Sequence, residues 1–82
     1  MPGSVPLLTT MQLGQLLLSA RKEKRLTQAD LAARMGLSQA RISQMELHPE
    51  SVTVQQLLTA TAILDLELTL GLRQTVTQPC DW

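Results

Sequence analysis

Amide, hydroxyl and guanidinium side chains are concentrated in one short stretch of the chain. The stretch contains Ser38, Gln39, Ala40, Arg41, Ser43 and Gln44. Apolar Ile42 and Met45 interrupt it at helical spacing, so the polar side chains would share the opposite, uncovered face of a helix. A short helix fits the DNA major groove, where such groups can hydrogen-bond to base edges. These residues are therefore candidate DNA contacts.

The surrounding residues predict two short helices joined by a tight turn. Thr27 and Ser38 are residue types that cap helix N-termini, and Gly36 can adopt the backbone conformation that ends a helix. We therefore predict helices over Gln28–Met35 and Gln39–Leu47. Their apolar residues fall on faces that can converge into one small core. These residues are Leu26, Leu31, Met35, Leu37, Ile42 and Met45.

This segment resembles the helix-turn-helix of phage repressors and of the wider Xre-type regulator family. The matching residues are Leu26-Thr27-Gln28, Leu31-Ala32, Gly36-Leu37-Ser38, Ile42-Ser43 and Glu46. The resemblance implies that Gln28 contacts a DNA phosphate and that Gln39, Ala40 and Gln44 contact bases. It also implies a pair between Arg21 and Glu46, which we assign to stability. The alternative interpretation is a helix pair that serves packing alone.

Length and composition restrict the class of protein. A chain of 82 residues forms one domain at most, with a small core. No apolar run is long enough to cross a membrane, and the N-terminus lacks a signal-peptide pattern. The single cysteine, Cys80, cannot form an internal disulfide, which fits a reducing compartment. Together with the resemblance to Xre-type regulators, this predicts a cytoplasmic protein of a bacterium, held at the nucleoid by operator binding.

The formal charge is zero, but it is unevenly distributed along the chain. Residues 1–45 carry six basic and two acidic side chains, a balance of +4. Residues 46–82 carry one basic and five acidic side chains, a balance of −4. The basic half contains the helix-turn-helix, so the two halves are expected to meet different partners.

Two further helices are predicted around this segment, giving a domain over residues 9–65 after a flexible arm at 1–8. The first follows Thr9 or Thr10, with Gln12 completing a capping box with Thr9, and ends in the basic run at 21–25. The second follows Thr53, which forms another capping box with Gln56, and extends to about Leu64. Its expected apolar face is Val54, Leu57, Leu58, Thr61 or Ala62, and Leu64.

Residues 66–73 alternate strictly between apolar and other residues. The apolar positions are Leu66, Leu68, Leu70 and Leu72. A period of two predicts a strand with one buried face. The chain offers no second strand, and unpaired backbone groups need a partner, so we expect pairing with a second copy across a two-fold axis. The alternative is that these leucines extend a helix, although spacing of two would spread them around it.

Residues 74–82 are predicted to be a flexible tail that ends in Trp82, the only aromatic residue. Tryptophan is enriched at interface hot spots because it buries a large area at little entropic cost. Trp82 is therefore a candidate contact for a protein partner. The alternative is an accidental residue on a polar tail.

From about Thr10 onward, the order of these parts resembles the HipB-type antitoxins of HipBA toxin–antitoxin modules. The resemblance implies a homodimer joined by paired strands, a palindromic DNA operator, and docking of the terminal tryptophan on a HipA-like kinase toxin. One residue departs from the pattern: Ser38 stands where a basic residue begins the recognition helix. Base preference therefore does not transfer from the resemblance.

The sequence predicts a mainly α fold, a four-helix helix-turn-helix domain with one C-terminal strand. The expected function is a transcriptional autorepressor that also neutralises a HipA-like toxin. The alternatives are a stand-alone repressor and an interaction module that has lost DNA binding. An enzyme is disfavoured because paired carboxylates and a phosphate-cradling glycine loop are missing. His48 is the only histidine, so neither a metal nor another cofactor is expected.

Overall fold

The computed structural model describes residues 6–72, and these form four α-helices and one 3₁₀ turn. The helices are α1 (Thr10–Glu23), α2 (Gln28–Met35), α3 (Gln39–Leu47) and α4 (Val54–Ile63), and the 3₁₀ turn is Pro49–Ser51. The two helices predicted for the helix-turn-helix are confirmed with the same bounds. The mainly α class is confirmed as well.

Each α-helix begins at a hydroxyl side chain that accepts a hydrogen bond from the backbone N–H three residues later. The capping residues are Thr9, Thr27, Ser38 and Thr53. In three helices the side chain of the third helical residue accepts a hydrogen bond from the backbone N–H of the capping residue, which completes a capping box. These residues are Gln12, Asp30 and Gln56. The predicted capping boxes at Thr9 and Thr53 are therefore confirmed.

Helices α1, α2 and α4 end in the same way, with one residue in the left-handed backbone conformation. These residues are Arg25 (φ 58°), Gly36 (φ 71°) and Asp65 (φ 59°). In each case the next residue is a leucine whose N–H donates back to a carbonyl in the last helical turn. Leu26, Leu37 and Leu66 are these leucines, and all three pack against the core. The predicted role of Gly36 in ending α2 is confirmed.

The core lies between the four helices and is built from aliphatic side chains and methionine. Its buried members are Leu17, Ala20, Leu31, Ala32, Ile42, Met45, Ala60 and Leu64. Three of the buried residues are alanines, which let the helix backbones approach closely. The six apolar residues predicted to converge from the helix-turn-helix all belong to this core or pack against it.

Helix α1 approaches the end of α3 closely at Gly14. A Cβ atom on Gly14 would lie 2.5 Å from the carbonyl oxygen of Glu46 and 3.0 Å from Cγ of Pro49. Only glycine fits this contact without a shift of the backbone. Gly14 therefore sets how near α1 lies to α3.

The buried face of α4 differs from the prediction. Ala60, Thr61 and Leu64 are buried, whereas Val54 is 70% and Leu58 is 50% exposed. Thr61 satisfies its hydroxyl by donating to the carbonyl of Leu58. The predicted face was wrong at Val54 and Leu58 because α4 packs through a narrow stripe centred on the small side chain of Ala60. The larger apolar residues on the adjoining stripe are left at the surface.

Residues 66–72 follow α4 and adopt no strand within the single chain. Leu66 packs against the core, Leu68 is 43% exposed, and Leu70 and Leu72 are almost fully exposed. The predicted strand requires a second copy, so it stays a prediction. Trp82 and the rest of the predicted tail lie outside the described residues. No helix within residues 6–72 has the length and apolar character needed to cross a membrane.

Candidate DNA-binding surface

The N-terminal half of α3 presents a polar surface that no other part of residues 6–72 covers. Ser38, Gln39, Ala40 and Gln44 are exposed, and Ser43 is half-buried. On the opposite face, Ile42 and Met45 are fully buried and fix the helix against the core. The structure therefore leaves these five predicted contact residues at least partly exposed on α3 and its N-cap, and their DNA contacts stay predictions.

Arg41 belongs to the same helix, and its guanidinium binds Gln44 of that surface as well as residues that follow α3. Nη1 donates to Gln44 Oε1 at 2.9 Å and to Ser51 Oγ at 3.0 Å. Nη2 donates to the backbone oxygen of Ser51 at 2.8 Å and to Gln56 Oε1 at 2.7 Å. Arg41 thus ties α3 to the 3₁₀ turn and to the start of α4. Its predicted DNA contact stays a prediction, but its structural role is evident from these bonds.

Gln28 is the first residue of α2 and lies half-buried beside the end of α3. Its Nε2 donates to Glu46 Oε1 at 3.1 Å. The backbone N–H groups at the start of a helix have no intrahelical partner and carry partial positive charge. Gln28 therefore stands at a helix terminus suited to a phosphate group, and its phosphate contact stays a prediction.

Glu46 also pairs with Arg21, and the predicted pair is present. Arg21 Nε lies 2.7 Å from Glu46 Oε2, and Arg21 Nη2 lies 3.2 Å from Glu46 Oε1. The two side chains are only 9% and 5% exposed. Arg21 Nη1 also donates to the carbonyl of Leu26 at 2.9 Å. This buried, two-point ion pair joins α1 to α3 and assigns Arg21 to the fold.

Asp30 completes the capping box at the start of α2. The hydrogen bond from the backbone N–H of Thr27, and then that from its hydroxyl, hold the pKa of Asp30 below its ordinary value. The carboxylate is ionised and turned toward the cap. Apart from buried Arg21, the basic side chains of the α1–α2 region lie at the surface, where Lys24 pairs with Asp65.

The helix-turn-helix family model HTH_3 matches residues 17–71, which is most of the chain. The protein belongs to the Xre-type helix-turn-helix family. No curated protein sequence matches it significantly. The similarity to solved structures extends beyond the motif, into the region that follows α4.

The structures similar to this chain include complexes of HipB. A HipB–O1–O2 complex aligns with a TM-score of 0.75 and 28% identity, covering 83% of this chain and 99% of HipB. A HipA–HipB–O2–O3 complex aligns at 0.78 and 27%, covering 87% and 100%. A HipB(S29A)–O2 20mer complex aligns at 0.78 and 28%, covering 88% and 100%. The fold of this Xre-type chain is thus the fold of a HipB-like DNA-binding repressor.

The sequence did not predict the hydrogen bonds that hold Gln28 and Arg41 of the candidate DNA-binding surface in place. The bond from Gln28 to Glu46 has no local signal, because the two residues are distant in sequence and meet only after α3 packs. The bonds of Arg41 to Ser51 and Gln56 were missed for the same reason. The exposed position of Arg41 on a helical wheel pointed toward DNA, whereas its long side chain reaches the following turn.

Proposed function

We propose that this chain is a sequence-specific autorepressor that binds a palindromic operator as a homodimer and neutralises a HipA-like kinase toxin. The observation that carries the DNA-binding part is the uncovered polar face of α3 at Ser38, Gln39, Ala40 and Gln44. It stands on a fold shared with HipB in complexes with O1, O2 and O3. Repression would occur in the cytoplasm, without a cofactor or catalysis.

The contacts divide into two kinds. Gln39, Ala40 and Gln44 face the base edges, with Ser38 and Ser43 at the margin of the same surface. Gln28 holds a phosphate at the N-terminus of α2 and sets the depth of α3 in the groove. In a dimer the two α3 helices lie about one helical turn, or ~34 Å, apart along the duplex.

The homodimer uses the leucines that the single chain leaves uncovered. Leu68, Leu70 and Leu72 are exposed, and the backbone beside them has no strand partner within residues 6–72. Antiparallel pairing centred on Leu70 would place Glu67 opposite Arg73 of the second copy. Opposite charges across a ladder favour that register. Leu66, the fourth leucine of the predicted strand, already packs against the hydrophobic core of its own chain, and it would support the dimer from that position.

The antitoxin role rests on the resemblance to HipB, which one similar structure holds together with HipA. Trp82 is the proposed anchor on the toxin, and the acidic second half of the chain supplies a surface different from the DNA side. Deleting residues 79–82 should weaken toxin binding while operator affinity and melting temperature stay near those of the parent. Loss of operator binding on this deletion would instead place the tail in the DNA-binding fold.

The DNA-binding part is tested by Gln39→Ala on an operator selected by the parent from a random-sequence duplex pool. The variant should lose roughly 1–3 kcal/mol and relax preference at one base position. Gln55→Ala is the matched control, since Gln55 is an exposed glutamine on α4 and is not among the predicted DNA contacts. Equal binding by both variants and the parent would show that α3 does not read the bases.

A further inference from the structure

Glu46 makes two kinds of contact, and only one of them serves the fold directly. Its carboxylate accepts two hydrogen bonds from Arg21, on Oε2 at 2.7 Å and on Oε1 at 3.2 Å. Oε1 accepts a third, from Gln28 Nε2 at 3.1 Å. The ion pair links α1 to α3. The third bond instead fixes a side chain of the proposed DNA surface.

The chemistry of Glu46 determines which way the Gln28 amide faces. An ionised carboxylate only accepts hydrogen bonds, so the amide must turn its nitrogen toward Glu46. One N–H is used in that bond. The other N–H of Gln28 has no acceptor among residues 6–72, and Gln28 is the first residue of α2, where the backbone N–H groups lack intrahelical partners. These are the donors that a phosphate requires.

The charge of Glu46 would repel a phosphate if it stood alone. Arg21 prevents this, because its guanidinium contacts both carboxylate oxygens and makes the pair neutral as a whole. Arg21 and Glu46 therefore form an uncharged acceptor beneath Gln28. A buried glutamate can hold the phosphate-binding amide in this setting without opposing the phosphate.

We propose that Glu46 is a positioning residue for DNA binding, which orders the Gln28 amide for its phosphate contact before DNA arrives. The proposal rests on the proposed function and deepens it. A free glutamine side chain loses several rotatable bonds on contact, whereas one already fixed avoids that cost. Removing the acceptor should weaken DNA binding by about tenfold, as much as removing the amide itself.

The test uses two double variants that differ only at the acceptor. Arg21→Met/Glu46→Leu removes the ion pair and the acceptor, and keeps the site apolar and filled. Arg21→Met/Glu46→Gln also removes the ion pair but retains an amide oxygen for Gln28. Both variants are neutral at the site, so they leave the local field unchanged. Thermal melts and circular dichroism establish that each is folded before operator affinity is measured.

We expect Arg21→Met/Glu46→Leu to bind the selected operator about tenfold more weakly, as Gln28→Ala does. Adding Gln28→Ala to that background should weaken binding no further. The Arg21→Met/Glu46→Gln variant should bind close to the parent. The dependence of affinity on salt should stay unchanged throughout, since no cation is removed from a phosphate.

The opposite results overturn the proposal. Parent-like binding by the leucine variant, equal loss in both double variants, or a further full loss on adding Gln28→Ala would each show that Glu46 does not act through Gln28. Failure of the parent to bind any duplex would instead refute the proposed function.

A second measurement needs neither DNA nor a stable variant. Side-chain ¹⁵N relaxation of the DNA-free parent reports how ordered each glutamine amide is. The Gln28 amide should be much more ordered than that of exposed Gln39. If the two are equally mobile, Glu46 does not position Gln28, even where both double variants fail to fold.

Discussion

Helix α3 is joined to α1 by Arg21 and to α4 by Arg41, but the two arginines bind partners of different charge. At the α1–α3 junction, Arg21 meets the carboxylate of Glu46, and both side chains are almost completely buried. At the α3–α4 junction, Arg41 is half-buried and meets only neutral oxygens, of Gln44, Ser51 and Gln56. The first is a closed ion pair, whereas the second is a charge that keeps contact with solvent.

This difference predicts different responses to damage. A buried ion pair that loses one partner leaves a charge without compensation, and the cost is large. A half-exposed arginine that is removed leaves neutral groups, and water can replace many of its bonds. The α1–α3 junction should therefore be the fragile one, and the α3–α4 junction the tolerant one.

The largest expected effect is that of Glu46→Leu, which leaves Arg21 buried without its carboxylate. We expect a loss of about 3–5 kcal/mol in the free energy of unfolding. The double variant Arg21→Met/Glu46→Leu should recover most of it, because a buried pair can be replaced by apolar residues at little cost. Urea titrations of the parent, both single variants and the double variant measure the coupling. Additive single effects would contradict the interaction.

The second largest effect is expected at the α1–α3 junction as well, from a substitution that tests close packing rather than charge. Gly14→Ala should cost roughly 1–3 kcal/mol, because the new methyl group would stand 2.5 Å from the Glu46 carbonyl and push α1 away. This cost exceeds the gain in helix propensity, which is about 1 kcal/mol. Gln15→Ala, at an exposed neighbouring position of α1, is the control and should change stability little. A Gly14→Ala protein as stable as the control would show that this junction has room to spare.

The third effect belongs to the α3–α4 junction. Arg41→Met keeps most of the aliphatic stem and removes four hydrogen bonds, and we expect it to cost about 1–2 kcal/mol. The loss should appear in thermal melts without DNA. Arg34→Met, at an exposed position of α2, is the matched control. If Arg41→Met melts as the parent does but weakens DNA binding with a flatter salt dependence, Arg41 is a phosphate contact rather than a brace.

The two junctions also show what the sequence could predict. The helix bounds followed from local signals, the capping hydroxyls of Thr27 and Ser38 and the glycine at position 36, which act within one turn. The Arg21–Glu46 pair was predicted from the family resemblance and is present. The partners of Arg41 were not predictable, because Ser51 and Gln56 reach it only after the chain has turned back at Pro49. The exposure of Val54 and Leu58 likewise depends on how α4 packs, since helical spacing alone allowed another face.

The smallest effect compares the capping boxes beside the two junctions. Asp30 completes the box of α2 with a carboxylate, whereas Gln56 completes the box of α4 with a neutral amide that also accepts from Arg41. Because the hydrogen bonds from Thr27 lower the pKa of folded Asp30, its ionised form stabilises the fold at pH values above the ordinary pKa. That contribution is lost as the pH falls through the lowered value.

Asp30→Asn should therefore be slightly less stable than the parent at neutral pH, and the gap should close at an acidic pH below the lowered pKa of Asp30. The difference between the two melting curves isolates this carboxylate from the other titrating groups. Gln56→Asn, which shortens the neutral side chain of the α4 box, should differ from the parent by the same amount at both pH values. If the stability difference between Asp30→Asn and the parent is also independent of pH, the charge of Asp30 does not contribute to the capping box of α2. The two capping boxes would then depend on hydrogen-bond geometry alone, and charge would distinguish only the contacts of Arg21 and Arg41.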